Sequence, residues 1–123
     1  MPTNISKEEI RERLKTVNVY IGVDRTAFFA SIPERKIRYV VAITLFGDRV
    51  TTREVYIEKL KEDGTYEPVY DSINLAAPEK VQLPIEGKDI ENPIIALEGG
   101  TRLYGRVSGN SITSTIEYWD NDV

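Results

Sequence analysis

The chain has 123 residues, a hydrophobic share of 41%, a charged share of 29% and a formal charge of −4, the profile of one ordinary globular domain. It contains no cysteine and no histidine, which excludes disulfides, thiolate nucleophiles, Cys/His zinc sites and imidazole acid–base chemistry. Net acidity argues against nucleic acid as the main partner, because phosphate neutralisation needs clustered Lys and Arg.

The N-terminus reads as a short helix. Ser6 stands as N-cap, Glu9 completes a capping box three residues on, and Ile5 and Ile10 occupy the positions of a hydrophobic staple. Ile10, Leu14 and Val17 make a narrow apolar stripe, and Glu9–Arg13 is a favourable i,i+4 pair. The spacing predicts about three turns, ending near Lys15 or Thr16. Residues 1–16 are thus a helical segment, docked on its own domain or serving as an assembly arm, and 17–123 a β domain. No signal-peptide core precedes the helix and no apolar run has the length of a membrane span, so neither secretion by a cleaved signal nor a membrane partner is expected.

Strand character then dominates. Val17–Val23 and Ala27–Ile32 are β-rich, with Gly22 a candidate bulge. "KIRYVVAITLFG" is the strongest strand. Strict alternation places Ile37, Tyr39, Val41, Ile43 and Leu45 on one face, and Val40, Ala42 and Phe46 make the other face apolar as well. A strand of that kind is central and covered on both sides. Arg53–Leu60 follows, and Asp63-Gly64 signals a hairpin into Tyr66–Tyr70. Pro78, Pro84 and Pro93 mark edges and turns between short strands near Ile73–Leu75, Lys80–Leu83 and Ile94–Leu97. The closing stretch alternates over Arg102–Val107 and Ser111–Trp119, with "SGN" turning between them as in a hairpin. The expected fold is all-β: a two-sheet antiparallel sandwich, jelly-roll or immunoglobulin-like, behind one short N-terminal helix.

Candidate sites are few. Gly99-Gly100 has the glycines of a phosphate loop but neither phosphate-loop spacing, and reads as the corner that starts a strand. Gly105 inside a strand implies a bulge or the close approach of a backbone or an aromatic ring. Asp120 and Asp122, with Glu117 nearby, have the i,i+2 spacing that can join a Ca²⁺ site of about six to eight oxygens, which leaves weak Ca²⁺ binding open. No calcium-loop signature surrounds them, and the commoner reading is a solvated acidic terminus. The acids of Glu86–Asn92 read as a solvated loop, and neither Lys36 nor Lys59 is marked as a base. No catalytic, cofactor-binding or metal-ligating residue is assigned, and no enzyme activity is expected.

Aromatics and charge leave surface contact as the remaining theme. Seven Tyr, three Phe and Trp119 serve as packing, as subunit-interface anchors or as a sugar platform; Tyr56, Tyr104 and Trp119 fall on the face opposite the expected core. Residues 1–60 carry 11 basic and 8 acidic side chains, and 61–123 carry 5 and 12. This asymmetry reads either as a mixed solvated surface or as complementary faces meeting between subunits. Scarce Met, absent Cys and frequent charges also fit a thermostable protein.

The pattern in "LEGGTRLYGRVSGNSITSTIEYWD", with "RYVVAITLFGD" upstream, resembles the last hairpin and central strand of small β-sandwich proteins from particles of tailed phages and related viruses. The resemblance covers Arg38–Asp48 and Ala96–Asp120. It implies a virion structural protein: a capsid decoration (cement) or head accessory protein that forms homo-oligomers on a shell of other structural protein. Its location would then be the virion, and otherwise the cytoplasm. On that reading the contact residues are Ile5, Ile10 and Leu14 of the N-terminal segment and Arg102, Tyr104, Arg106 and Trp119 of the last two strands. The alternative is a carbohydrate-binding module presenting Tyr104 and Trp119.

Overall fold

A computed structural model describes residues 5–47, 53–75, 80–109 and 111–123. Outside these lie Pro2–Asn4 of the expected arm, Asp48 of the central stretch, Pro78 and Asn110 of the "SGN" turn. Among the described residues the chain forms helix α1 (Lys7–Arg13) and nine strands. These are β1 (Lys15–Ile21), β2 (Thr26–Ala27), β3 (Lys36–Phe46), β4 (Arg53–Leu60), β5 (Tyr66–Leu75), β6 (Lys80–Leu83), β7 (Ile95–Glu98), β8 (Arg102–Val107) and β9 (Ile112–Asp122).

All strand pairings are antiparallel, in two sheets packed face to face. One sheet, here sheet A, runs β1-β9-β3-β6, with β7 on the same edge of β3 as β6; sheet B runs β2-β8-β4-β5. Counting β6 and β7 as one interrupted strand, the first pairs with the last, the second with the next to last, and so inward to the β4–β5 hairpin. The chain is therefore one long hairpin rolled into two sheets, the jelly-roll order. Its tip is the predicted Asp63-Gly64 turn. Gly64 takes a positive φ of 88°, and the Asp63 carboxylate accepts from the Thr65 backbone N–H (3.0 Å) and hydroxyl (2.6 Å).

This order corrects the expected closing hairpin. β8 pairs with β2 and β4 while β9 pairs with β1 and β3, so the "SGN" segment joins the two sheets instead of two neighbours in one sheet. Alternation in each strand was readable; the partner of each strand was not, because both carry the same apolar/polar period. The Ala27–Ile32 strand is likewise shorter than predicted, with only Thr26–Ala27 on a ladder.

β3 is central and covered on both faces, as its composition required, but its faces are not those of strict alternation. The register with β9 shifts between Val40 and Ala42, so Val41 is the extra residue of a β-bulge. Ile37 and Tyr39 before the bulge and Val41 at it point outward from the sandwich; beyond it Ile43 and Leu45 point inward beside Val40. The inner core lies between the sheets and includes Ile21, Phe28, Val40, Ile43, Leu45, Ile57, Leu103 and Ile116. A second cluster on the outside of sheet A joins Tyr39, Val41 and Trp119 to Ile10 and Ile90, with Ile5, Leu14 and Ile37 against it.

That second cluster is where α1 docks. Ser6 caps the helix by accepting from the Glu9 N–H at 3.2 Å, and Arg13 pairs with Glu9 at 2.6 Å, both as the sequence indicated. Arg13 also donates to the Asn121 side chain at 3.1 Å, which ties the last turn to β9. The helix is shorter than expected because Leu14 already has extended geometry, and β1 begins at Lys15, two residues before the boundary set from sequence.

Three glycines do what their positions implied. Gly100 turns the corner before β8 with φ 85°, and a Cβ on Gly99 would lie 2.9 Å from the Glu34 backbone. A Cβ on Gly105 would lie 2.7 Å from the Phe28 ring and 3.2 Å from Ile21. Both neighbours are buried core, so neither can swing away. Gly105→Ala is expected to destabilise the fold by about 1–3 kcal/mol through overpacking. Chemical denaturation of the two proteins measures this, and the companion variant Phe28→Leu/Gly105→Ala should recover part of the loss.

Candidate contact face

Each sheet has one face in the inner core, so function must be sought on the outer faces and edges. The outer face of sheet A is partly occupied: α1 and the loop carrying Ile90 cover Tyr39, Val41 and Trp119. The outer face of sheet B has no such cover, for no second hydrophobic cluster forms on it among the described residues. It carries the side chains of β4 and β8 that alternate away from the core, and the register sets them in rows: Tyr56 beside Arg106, Glu58 beside Tyr104, and Leu60 beside Arg102.

The centre of this face is the Glu58 carboxylate, whose side chain is only 12% exposed. It accepts from Arg25 Nε at 2.9 Å and from Arg106 Nε at 3.3 Å, so two guanidinium groups converge on one acid. Each arginine also lies over a tyrosine ring, Arg25 over Tyr66 at 3.8 Å and Arg106 over Tyr56 at 4.2 Å. Tyr66 meets Tyr104 edge to face at 5.7 Å, and Tyr56 donates to Glu54 at 2.8 Å. Each side chain in the array is held by another, so tyrosine and arginine surfaces are presented at low entropic cost. The hydrogen bond from Arg25 leads the effects that hold the Glu58 carboxyl below its usual range, with Arg106 adding to it.

The sequence-derived contact residues divide between the two sides of the sandwich. Arg102, Tyr104 and Arg106 share the outer face of sheet B, although Arg102 is partly engaged by donating to Ser31 at 2.6 Å. Ile5, Ile10, Leu14 and Trp119 lie on the opposite side in the helix-covered cluster. Trp119 does point away from the inner core, as alternation required, but it is 1% exposed because α1 and Tyr39 lie over it, the two rings 4.6 Å apart. Tyr104 and Trp119 therefore share no platform on which a sugar could stack. Sequence reasoning missed Arg25, Glu58 and Tyr66. The alternation of Glu54, Tyr56 and Glu58 was visible, but bringing Arg25 and Tyr66 to them needs the strand order.

The carboxylates at the C-terminus have cationic partners. Asp120 accepts two hydrogen bonds from Arg38 at 2.7 and 2.8 Å, Asp122 pairs with Lys36 at 2.8 Å, and Glu117 with Lys88 at 3.0 Å. Arg38 also lies against both the Phe29 and Tyr118 rings, 4.7 and 4.3 Å from their centres, and the two rings meet each other at 5.4 Å. No cluster of three potential metal ligands occurs among the described residues. Asp89 of the acidic loop accepts from the Glu91 backbone N–H and the Asn92 amide, closing its own turn. The rolled hairpin also sets first-half strands beside second-half strands. Lys7–Glu91, Lys36–Asp122 and Arg38–Asp120 accordingly join the basic and acidic halves inside one chain.

The Glu58 network has a pH signature. A carboxyl lowered in the folded state contributes its full stability above the ordinary value of 4.5 and loses it as pH falls through the lowered one. Wild type is therefore expected to melt above Glu58→Gln by a constant margin from neutral pH to about pH 5, and the margin should close below about pH 4. Paired thermal melts across that range check this, since all other carboxylates cancel in the difference. Comparison of the sequence with protein-family models and with curated proteins returned no match.

Proposed function

We propose that this chain is a non-enzymatic structural protein that works by protein–protein contact through the outer face of sheet B. The observation that carries the reading is the Tyr56–Glu58–Tyr66–Tyr104 surface, clamped by Arg25 and Arg106. Tyrosine and arginine are the residue types that anchor protein interfaces, and an open sheet face suits a broad protein surface better than a small molecule, which needs a concavity.

The more specific reading is a capsid decoration or head accessory protein, with the shell as partner. It is supported by the resemblance of Arg38–Asp48 and Ala96–Asp120 to small virion β-sandwiches and by the jelly-roll order, which capsid and lectin domains both use. Attachment is assigned to sheet B and not to α1, because Ile10 is fully buried against the chain's own sheet and has no area left to offer. The chain then acts as a rigid block, with the helix bracing the side away from the contact.

Particles produced by the genome that encodes this chain provide the test. The chain is expected in purified particles at a fixed ratio to the shell protein. Tyr104→Ala/Arg106→Glu should reduce particle-bound chain about tenfold or more, the scale of losing interface anchors, with its circular dichroism unchanged. Absence of the wild-type chain from particles would refute the virion reading. Full retention of the double variant would refute the assignment to sheet B.

A further inference from the structure

Four sheet edges result from this topology, and three are blunted. β2 is two residues long. β5 contains Pro68, irregular register and Ser72 at a positive φ of 63°. β6 and β7 share one edge in two four-residue pieces, with Pro84 and Pro93 between them. Such features keep edges from pairing with other chains. β1 has none of them. Its seven residues pair with β9 in unbroken register, Lys15↔Tyr118 to Ile21↔Ile112, and contain no proline or bulge. Its opposite side, where alternate backbone N–H and C=O groups point, meets no strand among the described residues.

We propose that β1 is a self-pairing edge, by which two copies of the chain join their A sheets into one continuous antiparallel sheet about a two-fold axis at Asn18. The side-chain pattern suits that register. Val17 falls opposite Val19 of the second copy, both inner-face residues half-exposed at the rim of the core. On the outer face Thr16 falls opposite Tyr20 of the second copy, and Tyr20 is 75% exposed in the single chain. Lys15 is the one charge on the strand and falls opposite Ile21, not opposite Lys15 of the second copy, so no like charges meet. A two-fold pairing also closes on itself and does not propagate into a fibre. The contact is independent of sheet B, whose outer face stays open in the pair. A single strand pairing buries less than a standard interface, so the dimer is weak and forms at high protein concentration.

The purified chain alone tests this, so failure of particle attachment and failure of β1 pairing are seen separately. Sedimentation equilibrium at rising concentration is expected to move the mass from 14.0 kDa toward twice that value. Amides within residues 15–21 should gain hydrogen-exchange protection over the same concentration range. Thr16→Lys/Tyr20→Lys changes two exposed side chains and sets lysine opposite lysine twice across the axis, which should weaken association about tenfold or more. Its melting curve reports that the monomer still folds, and Tyr20→Lys alone serves if it does not. A mass that stays monomeric at millimolar concentration overturns the proposal. So does a dimer whose β1 amides gain no protection, or one that the lysine substitutions leave unchanged.

Discussion

The bulge at Val41 is the constraint on which the arrangement of this protein depends. A regular strand offers one set of side chains to each face along its whole length. β3 instead has to supply the inner core at Val40, Ile43 and Leu45 and the outer cluster at Ile37, Tyr39 and Val41. One unpaired residue changes the phase, so bulky apolar side chains face the helix at one end of the strand and the opposite sheet at the other. Without it the Ile43 and Leu45 side chains would point outward, where α1 does not reach. The same residue falls between the β7 and β6 pairings, at the point where that edge of β3 is interrupted.

Two consequences follow for surface chemistry. Sheet A spends its outer face at one end on binding α1, and Trp119 and Ile10 become structural residues. Sheet B, whose two central strands alternate cleanly there, keeps an open polar–aromatic face. The charge network on that face is compact because one acid serves two arginines, each of which covers a tyrosine. On the inner face of sheet A, Arg38 and Asp120 perform a different task. They fill the inner layer beside Phe29 and Tyr118 with a bidentate pair that is mostly withdrawn from water.

Much of the architecture is legible in residue order. Ser6, Glu9 and Arg13 specify the helix start and its surface pair through contacts within one turn, and Asp63-Gly64 specifies the hairpin tip through backbone conformation. Gly105 announces a close approach, which Phe28 makes. These are local signals. What residue order leaves open is anything requiring knowledge of strand partners. The closing segments look like a hairpin because each alternates and a turn separates them, yet a rolled fold sends them to different sheets. The contact face shows the same division: Arg102, Tyr104 and Arg106 are found together by their shared period, whereas Arg25, Glu58 and Tyr66 reach them only through pairings across the chain. Alternation places Trp119 on the correct side of its strand but says nothing of its burial, because the helix that covers it lies more than a hundred residues away in sequence.

The central claim is that β3 serves two cores and that α1 closes the second one over Trp119. The chain has a single tryptophan, so its fluorescence reports that cluster without interference. The direct measurement is acrylamide quenching and emission wavelength in the full chain under native conditions, compared with the denatured protein. A blue-shifted emission and quenching far weaker than in the denatured chain are the results the two-core arrangement predicts. An emission maximum and quenching constant close to those of the denatured chain would place Trp119 in water and contradict it.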